Sequence, residues 1–210
     1  MKKALLFVIL ISLILGNTTV IMAKIEGTSH DLSTIKGDSH IDSCTMCHTR
    51  HSDTGQLSLW NSIQTVETFQ MYASPTFAIN SGDAVPNEKS LSCLSCHNGI
   101  IGNLVKHETI GNDLTDDHPV SFNYNPSKDV NGNGFPSSIT KGVDGKRFIY
   151  GTITGTFYPL SGNDGNRFEC TTCHIMHATS DNHSKGHDQV KLLRANNMAS
   201  NMCKDCHTNK

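Results

Sequence analysis

This chain has little of what protein interiors are usually made from. Its 210 residues include 8 Phe, 4 Tyr and a single Trp, and hydrophobic residues reach only 36 %. Gly, Asn, Ser and Thr are abundant instead, so the polypeptide alone cannot build a sizeable core. Charge is also sparse, at 17 % of residues, with a net charge of −2 and no basic run. That balance excludes the electropositive surface that nucleic acid requires. No apolar stretch beyond the first residues is long enough to cross a bilayer. No cysteine precedes Cys44, which excludes a lipidated N-terminal cysteine as an anchor.

The only apolar run is at the beginning. Lys2 and Lys3 precede Ala4–Leu15, and Ile21-Met22-Ala23 follows as a small-residue cleavage signal. The pattern is that of a secretory signal peptide over residues 1–23, leaving 24–210 as a single secreted unit without a membrane anchor. Loss of Lys2 and Lys3 leaves 15 basic against 19 acidic residues, a net charge of −4.

Cysteine is confined to one spacing. Cys-x-x-Cys-His occurs four times, at Cys44, Cys47 and His48, at Cys93, Cys96 and His97, at Cys170, Cys173 and His174, and at Cys203, Cys206 and His207. These motifs use all eight cysteines. In this motif two thiols add across the vinyl groups of a haem, and the adjacent histidine becomes a ligand of the iron. Zinc sites close with two Cys pairs, or with a histidine further along, and have no reason to place His directly after the second Cys every time. The expectation is four covalent haem c groups, with His48, His97, His174 and His207 as proximal ligands.

The expected fold is therefore a multihaem cytochrome c. About 47 mature residues per haem would wrap a core of four stacked haems as coil and loops, with short α-helices, little β-structure and a largely unfolded apoprotein. Short helical turns are expected at each motif, and Val190–Met202 reads as a helix leading into the last one. Arg147–Leu160 alternates apolar and β-branched residues around Gly151 and Gly155, as in a small hairpin. Asp113–Ser138, with three prolines and repeated Asn-Gly, reads as extended loop and turns. Within it Asp129, Asn131, Asn133 and Gly134 match the opening of a calcium loop, but Thr140 stands where a bidentate Glu is needed, which favours a plain turn.

Function turns on the far side of each iron. With four of the 12 histidines proximal, His30, His40, His51, His107, His118, His177, His183 and His187 are left as candidates for four distal positions. Met46, Met176, Met198 and Met202 are poorly placed to compete. Two histidines on one iron leave no open position and give low potentials, which suits electron transfer rather than catalysis. His51 and His177 each follow a proximal histidine by three residues. They cannot reach the opposite face of their own haem and would instead ligate a neighbouring one.

Several segments resemble the secreted multihaem c-type cytochromes of metal-reducing bacteria, in particular the OmcE-type tetrahaem cytochromes that form extracellular filaments. They are Ser29-His30-Asp31-Leu32-Ser33, Cys-His-Thr-Arg-His at His48 and His51, Leu59-Trp60-Asn61, Leu-Ser-Cys-His-Asn-Gly around Cys96, Asp117-His118-Pro119-Val120-Ser121-Phe122, Cys-His-Ile-Met-His at His174 and His177, and Leu193-Arg194. The resemblance implies that His30, His51, His118 and His177 are the distal ligands, and that His51 bridges to a haem of the next subunit. Arg50 departs from the proline frequent at that point in the family.

Only Thr208, Asn209 and Lys210 follow His207, so the last haem is expected to be exposed or covered by another molecule. The leading expectation is an electron carrier, not an enzyme, whose partners are identical subunits and other redox proteins or extracellular acceptors. A monomeric periplasmic tetrahaem shuttle is the alternative. A multihaem reductase ranks third, since it needs an open axial position.

Overall fold

A single helical turn is the recurring local element. In the first motif the amide of His48 donates to the Cys44 carbonyl at 2.8 Å, in the third His174 to Cys170 at 2.9 Å, and in the last His207 to Cys203 at 2.9 Å. This bond between residues four apart brings two cysteines and the following histidine onto one turn. The second motif lies inside a longer helix, α1 (Glu88–His97), which ends where Gly99 adopts a left-handed φ of +91°.

The computed structural model describes residues 25, 28–31, 44–45, 47–48, 68–75, 77, 85–99, 109–125, 139–142, 145–177 and 192–207. The signal peptide lies outside them, as do Asp129, Asn131, Asn133 and Gly134 of the calcium-like loop. Thr140 is described, and pairs with Phe148 inside a strand.

Strands β2 (Ile139–Lys141), β3 (Arg147–Tyr150) and β4 (Phe157–Pro159) form an antiparallel sheet in that order. Ile149 stands opposite Ile139 on one side and Tyr158 on the other. A second antiparallel pair joins β1 (Phe122–Asn123) to β5 (Arg167–Phe168), with Phe122 opposite Phe168. The hairpin expected over 147–160 corresponds to β3 and β4; β2 and the β1–β5 pair come in addition.

The third motif forms α2 (Cys170–Cys173) and the last α3 (Asn201–Lys204), after a 3-10 turn at Met198–Ser200. A continuous helix over 190–202 does not form. Leu192, Ala199 and Ser200 have left-handed φ values of 50°, 53° and 59°, and Leu193 bridges instead to His174. Burial of Leu192, Leu193 and Ala195 in an extended run outweighs the helical propensity of the segment.

Phe122, Tyr124, Ile149, Tyr158, Leu160, Phe168 and Ala195 form the buried apolar cluster, against which Cys173, Cys206 and Met202 pack. The polypeptide core thus ends at the attachment cysteines of the last two motifs. Among the described residues no helix is long and apolar enough to cross a membrane.

Gly151, at the end of β3, packs directly on Asp205. A Cβ added there would lie 2.3 Å from the carboxylate carbon, far inside van der Waals contact. Gly151→Ala is expected to lower stability by about 1–3 kcal/mol through overpacking, read as a shift in the urea midpoint of the purified protein. An unchanged midpoint would mean that the carboxylate moves aside at little cost.

Candidate haem centres

In three of the Cys-x-x-Cys-His motifs a histidine from elsewhere in the chain approaches the motif histidine. The ring centres of His48 and His177 lie 5.9 Å apart, those of His30 and His97 5.9 Å, and those of His118 and His207 6.4 Å. A metal–imidazole bond is about 2 Å long. Two imidazoles on opposite sides of one metal therefore have their centres about 6 Å apart. All three pairs fall at that separation. His51, His40, His107, His183 and His187 lie outside the described residues.

The three incoming histidines share an electrostatic state. Burial holds His118 below the ordinary imidazole range, against the opposing effect of its bond to Pro119. Burial and then His48 lower His177. Burial and then His97 and His174 lower His30. A neutral imidazole is the form that binds a metal.

Local backbone also selects the tautomer of His118. Its Nδ1 lies 3.0 Å from the Pro119 carbonyl oxygen, which can only accept, so Nδ1 carries the proton and Nε2 keeps its lone pair outward. His118 stacks on Phe168 at 5.4 Å, which fixes its ring plane. The Nδ1 of His30 is buried with no hydrogen-bond partner, a polar atom with an unmet requirement in the same kind of site.

The cysteines sit where the next motif begins. No disulfide joins any of the eight. Burial and then Cys96 push Cys47 up; a hydrogen bond to Cys170 and then burial push Cys93 up. Cys173 is raised to about 12 by burial and then Cys206. The motifs thus neighbour one another in chain order, first to second, second to third, third to fourth. Among the described residues no three of His, Cys, Asp or Glu converge as a metal cage. The donor set comprises three imidazole pairs with cysteine thiols beside them, of which Cys47, Cys93, Cys173 and Cys206 are shifted up while the hydrogen bond with Cys93 shifts Cys170 down. It fits haem c, and it does not fit a thiolate zinc site.

Two buried carboxylates beside these turns were not singled out by sequence reasoning. Glu169, 1 % exposed, precedes Cys170. It accepts from the Ser90 hydroxyl at 2.5 Å and the Ser121 hydroxyl at 2.8 Å, with Arg167 Nε 3.8 Å away. Ser121 also accepts from the Asn87 amide at 2.7 Å, so one carboxylate ties α1, the Asp-His-Pro-Val-Ser-Phe segment and α2 together. Asp205, also 1 % exposed, lies between Cys203 and Cys206. Its carboxylate accepts from the amides of Ile153 at 2.8 Å and Thr154 at 3.2 Å, from the Tyr158 hydroxyl at 2.7 Å and from the Thr154 hydroxyl. The available signal was an acidic residue within, or directly before, a motif that points inward. Leu193-Arg194 packs on the third motif rather than the last: Arg194 donates its amide to Cys173 and its Nε to Thr171, each at 2.9 Å.

Compared with known proteins, the chain matches no family model and no curated protein.

Proposed function

We propose that this chain is a tetrahaem electron carrier, secreted and assembled into an extracellular filament that passes electrons to external acceptors. The observation that carries the reading is the set of three imidazole pairs, each joining a Cys-x-x-Cys-His turn to a distant histidine at the separation one iron needs. When bound, haem c supplies reversible one-electron transfer between ferric and ferrous iron.

The chain's own groups do the rest. Cys44, Cys47, Cys93, Cys96, Cys170, Cys173, Cys203 and Cys206 hold the groups covalently. His48, His97, His174 and His207 would each hold one iron, and His177, His30 and His118 would supply the second imidazole at the first, second and last. His177 follows His174 by three residues yet faces His48. We propose His51 as a further distal ligand, in its own chain or bridging to a haem of the next subunit.

Two imidazoles on each iron would leave no position for a substrate, which favours a carrier over a reductase. The contacts between successive motifs favour a route in chain order. Assembly then rests on surface contact. Tyr150, Ile153 and Phe157 are 40, 49 and 52 % exposed on the β3–β4 hairpin, an apolar face beside the last motif that a neighbouring copy would cover. The monomeric shuttle is favoured by one observation, that all three described imidazole pairs are formed within one chain. Electron microscopy and size exclusion of the secreted protein separate the two: filaments are expected, and a uniform monomer at all concentrations would select the shuttle.

Intact mass should exceed that of residues 24–210 by four haem masses, and the ferric spectrum should be wholly low-spin; fewer haems, or rapid carbon monoxide binding by the reduced protein, would count against the assignment. His30→Ala, His118→Ala and His177→Ala should each retain four haems while turning one of them high-spin and reactive to carbon monoxide. A variant that stays wholly low-spin would remove its histidine from the ligand set.

Acid should act on the same groups. A histidine whose folded pKa lies below its ordinary 6.5 contributes stability present above 6.5 and lost as pH falls below it, because the unfolded state binds the proton more readily. In the haem-loaded protein the proton must also displace the iron, so strong acid is expected to release distal ligands, seen as growth of high-spin absorption with the covalent attachment intact.

A further inference from the structure

The third and fourth motifs each carry a buried carboxylate, but the two are balanced differently. Glu169 has Arg167 Nε at 3.8 Å, and Arg194 adds a second cation on the third motif, with its Nε on the Thr171 carbonyl at 2.9 Å. Asp205 makes no ion pair among the described residues. Among the described residues its partners are two backbone amides and the hydroxyls of Thr154 and Tyr158. Four donors to one carboxylate are the arrangement of the ionised form, which only accepts. These donors hold the charge in place without cancelling it. The adjacent Lys204 directs its Nζ to the Ala199 carbonyl at 2.8 Å rather than to the carboxylate. The charge reaches the attachment point, for Cys206 is pushed up by burial and then by Asp205.

We propose that Asp205 sets the potential of the haem held at Cys203, Cys206 and His207, making it lower than the haem held at Cys170, Cys173 and His174. The inference rests on the tetrahaem reading above. A buried negative charge stabilises the ferric over the ferrous state of a nearby iron, and low dielectric and poor screening make the effect larger than that of a surface charge. The β3–β4 hairpin is the device that maintains it. Its turn wraps the carboxylate with amides, Tyr158 donates from β4, and the bare Gly151 lets the backbone approach.

The test is a spectroelectrochemical titration of the secreted tetrahaem protein. Asp205→Asn should raise one of four one-electron steps, shifting the reduced-to-oxidised ratio of that haem about tenfold at fixed potential, which is 59 mV for one electron. The shift should persist in high salt, whereas that of the exposed-site control Asp164→Asn should fade. Tyr158→Phe keeps the charge and removes one donor, so it should move the same step downward. Arg194→Gln should lower a different step, that of the third motif. If Asp205→Asn is not recovered with four haems, Tyr158→Phe decides alone: a downward shift supports the proposal, and no shift or an upward one overturns it. Four haems with every step unmoved in these variants would sink this inference and leave the carrier reading standing, while wild-type protein without covalent haem would remove both.

Discussion

A carboxylate that loses its water must be given donors by the protein, and that requirement organises the described part of this chain. The elements are too short to recognise one another by apolar area: strands of two to four residues and, at the last two motifs, helices of four. Glu169 and Asp205, each 1 % exposed, take their donors from segments about 50 to 80 residues away. Each missing bond would leave an ionisable group buried and unsatisfied, a cost of a few kcal/mol. Long-range specificity therefore comes from polar closure, with the small cluster around Ile149 and Tyr158 as filler between the two carboxylates.

The chemistry-bearing residues were legible because their meaning is local. Cys-x-x-Cys-His needs one helical turn, and the four turns follow from the motif alone. The hairpin was legible from alternation around Gly151 and Gly155. What the sequence did not display was pairing. Nothing near His177 says that it will face His48 rather than another proximal histidine, and nothing in Asp-His-Pro-Val-Ser-Phe names His207. The failed helix over 190–202 has the same cause, since its apolar spacing suits a helix but Leu193 bridges to His174 across the third motif. Asp205 was hidden by its position, because the two residues between paired cysteines read as spacers unless the opposing loop is known.

Electrostatics and folding meet at the same residues. The carboxylates that join the elements also stand beside Cys170 and Cys206, so a substitution there changes both the closure of the fold and the field at an attachment site. The histidines show a similar economy. Burial against apolar neighbours such as Phe168 both orients His118 and favours its neutral form, the form a metal would require.

The contact between Cys93 and Cys170 has a consequence for the order of maturation. These thiols belong to different motifs, and the folded arrangement sets them side by side. In an oxidising compartment, thiols in contact are prone to join as a disulfide. A chain that folded before modification would thus risk a cross-link that disables the second and third motifs at once. On the tetrahaem reading, covalent loading of at least one of the two would have to come before these motifs close on each other, which would set a modifying enzyme in a race with the closure of the fold.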